Sequence, residues 1–333
     1  MWKDLLFYFL VCFSVNAVGQ NAGRKSFEFL QVPNNARLAS LGGYNVSLSD
    51  RDVNFFYTNP ALSSDSLSGE AAVGYQFYIA DVGQATFSYA HKFSGIGTVA
   101  FGVQHLGYGK IKGYDPTGAE IGDFESGETL LCMSKSHQAG NFRIGATIKM
   151  AFSSISGYRA NAVLVDFGGL FRHPAQDFSI GLVIKNLGFV VSEYSFTSNT
   201  KLPFDLQLGT TFKPEHMPVR FSFTAYGFGN PHAYSDPQSG VPEPGTLDKV
   251  LRSLNFGAEV LIHRNAALMI GYNYRIHQEL KLEDTGGAAG LSFGFSLRVK
   301  TFELTLSRGT YVMGNAGYAF TLSKNIDKLL KRL

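Results

Sequence analysis

Apolar and polar residues alternate with a period of two along most of the chain after residue 70. Leu291 and Phe293, for example, alternate with Ser292 and Gly294, and the same pattern recurs over residues 142–150. Successive side chains of a β-strand point to opposite faces of the sheet. The alternation therefore predicts strands with one apolar face and one polar or charged face.

The alternating segments are numerous and long. A strand of a soluble protein usually has about five or six residues, whereas a tilted strand that crosses a membrane needs about 9–11. Fourteen strands are predicted, over residues 71–80, 83–92, 96–107, 126–137, 140–152, 159–172, 177–187, 203–213, 218–228, 249–262, 265–275, 288–299, 300–308 and 314–322. Their lengths favour strands that cross a membrane.

The links between the predicted strands alternate in length. Short links such as Ser94-Gly95 and Pro174-Ala175 follow the even-numbered strands, whereas links of ten residues or more, including 229–248, follow several odd-numbered ones. Bacterial outer-membrane barrels have short periplasmic turns and long outer loops. We therefore predict an all-β protein: a single 14-stranded antiparallel transmembrane β-barrel over residues 71–322. The expected location is the outer membrane, with both termini periplasmic.

The polar face of each strand is expected to point into the barrel. In lipid every backbone hydrogen-bonding group must be paired, so an open sheet edge is excluded and the barrel must close. Charged residues at alternate positions should then face the lumen; the candidates are Asp205, Arg220, Glu259, Arg275 and Arg298. Fourteen strands enclose more space than wall side chains fill, so another segment must occupy the lumen.

Residues 20–70 are the candidate for this plug, because they do not alternate. Residues Asn34 to Leu41 are predicted to form a short helix that is stopped by Gly42 and Gly43, and a polar loop follows it. The apolar residues of the segment need burial, which favours a plug over the alternative of a periplasmic extension. The candidate plug residues are Arg37, Gly42, Gly43, Asp50, Asp52, Asn54, Asn59 and Pro60.

Both ends of the chain have distinct patterns. Residues 1–19 combine Lys3, an apolar run and small residues before Gln20, which is typical of a cleaved signal peptide; the alternative is a buried N-terminal helix. Residues 323–333 place apolar and basic side chains on opposite sides of a predicted helix beginning at Ser323. This tail is expected to bind an anionic or protein surface, or else to be solvated.

Composition excludes several classes of site. The formal net charge of +3 gives no strong field for nucleic acid. After cleavage only Cys132 remains, so no internal disulfide can form. We predict neither a metal nor a cofactor.

Two motifs that suggest chemistry lack the context it needs. Gly290 to Gly294 fits the nucleophile elbow of hydrolases, but it lies within an alternating strand instead of a strand–turn–helix. Asp50 begins a sequence like a calcium loop, but Phe55 and Ala61 occupy positions that require glycine and glutamate. We therefore expect no enzymatic activity; a hydrolytic outer-membrane enzyme is the least favoured alternative.

The N-terminal segment resembles the PorV/PorQ family of the type IX secretion system, most closely its PorQ branch. The resemblance rests on Phe27-Glu28-Phe29-Leu30-Gln31-Val32-Pro33, Ala36-Arg37-Leu38-Ala39-Ser40-Leu41-Gly42-Gly43, Asn45-Val46-Ser47, Asp50, Asp52-Val53-Asn54 and Asn59-Pro60-Ala61-Leu62. That family belongs to the FadL-like fourteen-stranded barrels.

The resemblance implies a non-enzymatic component of a protein-export machine. The implied partners are outer-membrane lipid and lipopolysaccharide, the sortase-like protein PorU, PorV and a PorZ-like protein. A FadL-like transporter of hydrophobic molecules remains the alternative function.

Overall fold

In the computed structural model, fourteen strands form a closed antiparallel barrel. The structure describes residues 26–78, 81–195, 197–198, 200–228, 245–280, 288–312 and 315–327, so the predicted signal peptide lies outside the described residues. The strands are β1 (Glu70–Phe77), β2 (Gly83–Phe93), β3 (Gly97–Tyr114), β4 (Glu120–Ala139), β5 (Phe142–Ile155), β6 (Tyr158–Arg172), β7 (Phe178–Ser192), β8 (Asp205–Phe212), β9 (Val219–Ala225), β10 (Leu254–His263), β11 (Ala266–Asn273), β12 (Leu291–Val299), β13 (Phe302–Val312) and β14 (Asn315–Asn325). The predicted fold class is confirmed.

Closure comes from the pairing of the first strand with the last. β1 pairs with β14 from Glu70 opposite Asn325 to Phe77 opposite Tyr318. Every strand therefore has two neighbours, which meets the requirement of lipid for paired backbone groups. We call the end with the links after β2, β4, β6, β8, β10 and β12 the short-turn end, and the opposite end the long-loop end.

The wall is apolar outside and polar inside. On β12, Phe293 is 46% exposed and Phe295 is 38% exposed, whereas Ser292 and Ser296 are buried. This inversion of the soluble-protein pattern is typical of a barrel in lipid. Among the described residues, no helix is long and apolar enough to cross a membrane.

The link between β3 and β4 differs from the prediction. A long loop was expected over residues 108–125, but the two strands continue as a hairpin in which Ile111 pairs with Phe124. The register shifts between Gly107 and Lys110. Such an irregularity interrupts the two-residue period, which is why the sequence pattern ends the strands too early.

Two short helices replace predicted strand ends at the long-loop end. Helix α2 (Thr246–Arg252) precedes β10, and helix α3 (Tyr274–Leu280) follows β11. Each contains an ion pair between residues i and i+4, Asp248 with Arg252 at 2.6 Å and Arg275 with Glu279 at 2.8 Å, which stabilises a helix and not a strand. The predicted placement of Arg275 on a strand is therefore wrong.

The start of the predicted tail helix is also wrong. Ser323 to Asn325 continue β14, where Ser323 pairs with both β1 and β13. Two strands offer these residues backbone partners, which an isolated helical turn at the end of the chain cannot match. The tail from residue 328 onward lies outside the described residues.

Residues 26–69, which we call the hatch, lie inside the barrel. They contain helix α1 (Ala36–Ser40) and four 3-10 turns, Glu28–Gln31, Val53–Tyr57, Pro60–Leu62 and Asp65–Leu67. Helix α1 contacts β11 to β14, the Val53–Tyr57 turn contacts β1 to β3, and the Pro60–Leu62 turn contacts β4 to β6. The hatch thus meets opposite sides of the wall.

Local chemistry determines the shape of the hatch. The side chain of Asn35 accepts a hydrogen bond from the Leu38 backbone N–H at 2.8 Å and caps α1. Gly42 and Gly43 have φ of +88° and +95°, a conformation that favours glycine and turns the chain after the helix. The apolar residues then fill the interior; Phe29, Leu41, Phe55 and Phe56 are all at most 1% exposed.

Candidate functional site

The hatch and the inner wall fit together through glycines on the wall. At six inward positions a Cβ atom would approach a hatch atom to between 1.9 and 2.5 Å. These positions are Gly102, Gly145, Gly168, Gly181, Gly271 and Gly294. Contacts this close exclude any larger residue without movement of the hatch, so six different strands are shaped to hold it.

Hydrogen bonds from the wall secure the double-glycine turn. Asn255 Nδ2 donates to the carbonyl oxygens of Leu41 and Tyr44, both at 2.8 Å, and Asn273 Nδ2 donates to Gly42 O at 3.1 Å. Ser292, the central residue of the elbow-like motif, donates to Ser40 O at 3.0 Å. These wall side chains donate hydrogen bonds to hatch carbonyl oxygens that would otherwise have no partner in the lumen.

Asn59 secures the second half of the hatch. Its Oδ1 accepts from Ala61 N at 2.9 Å and so caps the Pro60–Leu62 turn. Its Nδ2 donates to Val46 O at 2.8 Å within the hatch and to Gly169 O at 3.2 Å on β6. One amide therefore joins two hatch segments and the wall.

Asp52 and Asn54 form a neighbouring contact. Asp52 Oδ1 accepts from the backbone N–H of Asn54 at 3.0 Å and from its Nδ2 at 2.9 Å. Ser88 on β2 donates to Asn54 Oδ1 at 2.8 Å. This pair ties the Val53–Tyr57 turn to the wall.

Five charged residues form a network that we call the ionic latch: Arg37, Asp50, Asp52, Arg220 and Glu259. Arg37 lies 2.8 Å from both Asp50 and Glu259 and 3.9 Å from Asp52. Arg220 lies 3.1 Å from Asp50 and 3.1 Å from Glu259. Because Arg220 and Glu259 are cross-strand partners on β9 and β10, the latch connects the hatch to one place on the wall near the short-turn end.

The latch controls the protonation of its hatch members. Burial would lower the pKa of Arg37, but Glu259, Asp50 and Asp52 outweigh burial and raise the pKa further. Burial would raise the pKa of Asp50, but Arg37 and Arg220 hold it well below its ordinary value. Asp52 lies farther from Arg37, so burial dominates and raises its pKa to about 6.

The other predicted lumen residues lie outside the latch. Asp205 is buried and accepts hydrogen bonds from Gly227 N and Gln207 Nε2, both at 2.8 Å. Arg298 is 45% exposed near the short-turn end and pairs with Glu303. Arg275 lies on α3, where it pairs with Glu279.

A second buried ion pair, between Lys149 on β5 and Asp166 on β6, was missed by the sequence reasoning. Asn186 on β7 completes it, because its backbone N–H donates to Asp166 at 2.8 Å and its Oδ1 accepts from Lys149 at 3.1 Å. Asn186 has a φ of +60°, within a shift of register on β7. A single charged residue within an otherwise apolar strand could have indicated this pair. The poor alternation of residues 159–172 made Asp166 hard to recognise as inward-facing.

Cavities lie on both sides of the hatch. A cavity of about 210 Å³ opens toward the long-loop end and is lined by Tyr44, Tyr78 and Tyr226, among others. A concavity of about 1020 Å³ lies at the short-turn end, among the turns after β4, β6 and β8. The two share no lining residue. Among the described residues, no group of three His, Cys, Asp or Glu side chains is placed to hold a metal.

The barrel resembles solved outer-membrane proteins. The toluene transporter TbuX of Ralstonia pickettii has a TM-score of 0.52 and 12% identity, covering 89% of this chain and 99% of TbuX. A deltaS2 mutant of the monoaromatic hydrocarbon channel TodX has a TM-score of 0.53 and 12% identity, covering 88% and 97%. A Pseudomonas aeruginosa FadL homologue has a TM-score of 0.47 and 10% identity, covering 88% and 98%.

No protein-family model and no curated protein sequence matches the chain. At 12% identity the likeness to TbuX and TodX shows the fold alone. The chain therefore has the fold of the outer-membrane barrels TbuX and TodX, with a hatch held in its lumen by matched glycines, hydrogen bonds and the ionic latch.

Proposed function

We propose that this protein is a non-enzymatic outer-membrane component of a type IX secretion system, of the PorQ type, and that its two ends dock partner proteins. The proposal rests on where the residues that resemble the PorV/PorQ family lie and on what they contact. Arg37 and Asp50 form the latch, Gly42 lies against Asn255, and Asn59 joins the hatch to β6. The residues behind the resemblance are those that hold the hatch closed.

A closed lumen suits a scaffold better than a conduit. The cavities at the two ends are separated by a hatch whose apolar residues are almost fully buried. Passage of a solute would require the hatch to move, with loss of the buried ion pairs. Docking at either end requires no such movement. In this proposal both termini are periplasmic, and the partners are PorU, PorV and a PorZ-like protein.

Affinity purification from detergent-solubilised outer membrane tests this function. The tagged full-length protein is expected to retain the sortase-like, PorV and PorZ-like proteins through washing. A tagged barrel of unrelated function, expressed in the same cells, is the control for nonspecific capture. Recovery of the barrel without any of these proteins would contradict the proposal.

Transport of hydrophobic molecules is the second candidate, and the comparisons favour it. TbuX and TodX, which both have TM-scores above 0.5, are described as a toluene transporter and a monoaromatic hydrocarbon channel. The cavity of about 210 Å³ includes Tyr44 and Tyr226, whose rings stack at 3.8 Å. Apolar walls with a few polar groups are typical of small-molecule sites.

Mass spectrometry of organic extracts from the purified protein separates the two functions. Transport predicts a co-purified hydrophobic compound that is lost in the variant Tyr226→Ala and kept in Tyr158→Ala, which changes an exposed tyrosine outside the cavity. Such a result, together with an absence of secretion proteins, would replace the first function with the second.

A further inference from the structure

Four cationic side chains lie at the short-turn end, where the apolar outer surface meets water. They are Lys135 on β4, Arg264 in the turn between β10 and β11, Lys300 in the turn between β12 and β13, and Lys324 on β14. Each is adjacent to an exposed apolar residue: Met133 (46% exposed), Ile262 (60%), Val299 (56%) and Phe302 (43%), respectively. Their position is that of a lipid–water boundary.

These four cations have no ion-pair partner among the described residues. Lys135 has Val99 and Ala146 as its cross-strand neighbours. The Nζ atom of Lys324 lies 3.9 Å from the centre of the Phe302 ring, a cation–π contact that leaves the charge uncompensated. Within the described part of the chain, no ion pair joins any of the four to a carboxylate.

The long-loop end is arranged differently. There, Lys110 lies opposite Glu125 and Lys112 lies opposite Asp123 across the β3–β4 hairpin. Opposite charges at such positions compensate one another. Lys110 and Lys112 therefore face carboxylates across the hairpin, unlike the four cations of the short-turn end.

We propose that Lys135, Arg264, Lys300 and Lys324 bind the anionic phosphate headgroups of phospholipids in the leaflet around the short-turn end. Long basic side chains can keep their stems on an apolar surface while the charged group reaches the headgroups. Basic residues near an anionic lipid surface are attracted to it. This inference goes beyond the docking function and does not depend on it.

The distribution of the cations favours lipid over an acidic protein. They lie on β4 and across β10 to β14, on separated parts of the outer perimeter. A protein that docked on the barrel mouth would approach along the barrel axis and would contact turn tips, where Arg264 and Lys300 lie, but not the sides of the strands, where Lys135 and Lys324 lie. Lys135 instead follows Leu131 and Met133 on the outer face, four residues before the end of β4, where lipid is the neighbour.

Electron spin resonance with spin-labelled lipids tests the proposal. The full-length protein is reconstituted in phosphatidylcholine, and the association of spin-labelled phosphatidylglycerol is compared with that of spin-labelled phosphatidylcholine. We expect the wild type to prefer phosphatidylglycerol and the variant K135Q/R264Q/K300Q/K324Q to lose about half of that preference or more. Added salt should weaken the wild-type preference.

The matched control removes four cations that have carboxylate partners at the long-loop end, as K110Q/K112Q/R252Q/R275Q, and should keep the wild-type preference. Equal loss in both variants would attribute the effect to net charge and overturn the proposal. So would an unchanged preference in the short-turn variant, or no preference in the wild type, which would leave an acidic protein as the occupant. If the fourfold variant does not fold, K135Q/K324Q and R264Q/K300Q are measured instead.

Discussion

At the scale of single residues, Arg37 has the most demanding environment. Its guanidinium is largely buried and is compensated by Glu259 and Asp50 at 2.8 Å each. Replacing a buried ion pair by apolar residues can be harmless, but removing one partner leaves a buried charge without compensation. The latch therefore stabilises the closed hatch only while all its members are present.

The variant Arg37→Ala is expected to lower the free energy of unfolding by about 3–5 kcal/mol, because Glu259 and Asp50 lose their shared cation. Denaturant unfolding in detergent measures this cost, and bilayer recordings should show increased conductance. The control is Arg51→Ala, which removes an arginine that is 50% exposed and pairs with Glu70 at 2.8 Å; it should cost less than about 1 kcal/mol. Similar costs for both variants would refute the latch.

Asp52 makes hatch stability depend on pH. Its folded-state pKa of about 6 lies above its ordinary value of 3.8. A raised pKa means that the ionised form is disfavoured in the folded state, so the contribution of Asp52 to stability decreases as the pH rises through 6. Asp50, with a lowered pKa, stays ionised over the same range.

We therefore expect the denaturant midpoint of the wild type to be higher near about pH 5 than near about pH 7.5. Asp52→Asn keeps the side-chain shape and its acceptor for Asn54, and it should remove most of this difference. The control Asp115→Asn changes an exposed turn carboxylate and should keep it. An unchanged pH dependence in Asp52→Asn would assign the titration to another group.

At the scale of elements, strand β6 shows how a wall strand accommodates the hatch. Gly168 and Gly169 are adjacent, so they face opposite sides of the wall. A Cβ atom at Gly168 would lie 1.9 Å from Asn59 Oδ1, whereas one at Gly169 would meet nothing within 4 Å. The same chemical change thus tests the inner and outer faces separately.

Gly168→Ala is expected to displace Asn59 and to destabilise the closed state by about 1–3 kcal/mol, the usual cost of overpacking. Gly169→Ala should have little effect or stabilise slightly, because alanine restricts the unfolded chain. Denaturant unfolding and protease cleavage of the hatch measure both. Equal sensitivity of the two variants would contradict the inward orientation of Gly168.

The elements that differ from the prediction all lie toward the long-loop end or at the end of the chain. The β3–β4 hairpin, α2 and α3 extend beyond the apolar outer surface, where water can bond the backbone. Lipid no longer imposes the two-residue alternation there, so hydrophobic periodicity no longer predicts the secondary structure. Local pairs, such as Asp248 with Arg252, then determine the structure.

At the scale of the whole molecule, the two ends differ in structure, and this difference predicts orientation. The turn of residues 115–119 joins β3 and β4 at the long-loop end, and that of residues 173–177 joins β6 and β7 at the short-turn end. Both Ala119 and Ala175 are exposed. Outer-membrane barrels direct the short turns to the periplasm.

We expect Ala119→Cys to react with a membrane-impermeant maleimide on intact cells and Ala175→Cys to react only after the outer membrane is permeabilised. Cys132 is buried, so its background reaction should be low, and the unmodified protein measures it. The reverse pattern of labelling would invert the barrel in the membrane and place its termini outside.

The sequence by itself determined the barrel and its strand count. In lipid, every backbone group must be paired and every strand needs an apolar outer face. Apolar and polar residues therefore alternate along each strand, as Phe293 does with Ser292. The predicted strand ends lie within a few residues of the observed ends wherever the wall lies in lipid. The N-terminal segment, lacking alternation, was likewise predicted to occupy the lumen.

Only the tertiary structure decided which residues hold the hatch. Arg37 meets Glu259 across 222 positions of sequence, and Gly168 is needed because Asn59 lies against it. The pairing of Lys149 with Asp166, and the lack of a carboxylate partner for Lys135 among the described residues, also depend on which strands become neighbours. Such contacts depend on the register and closure of the whole sheet, so no local pattern along the chain can specify them.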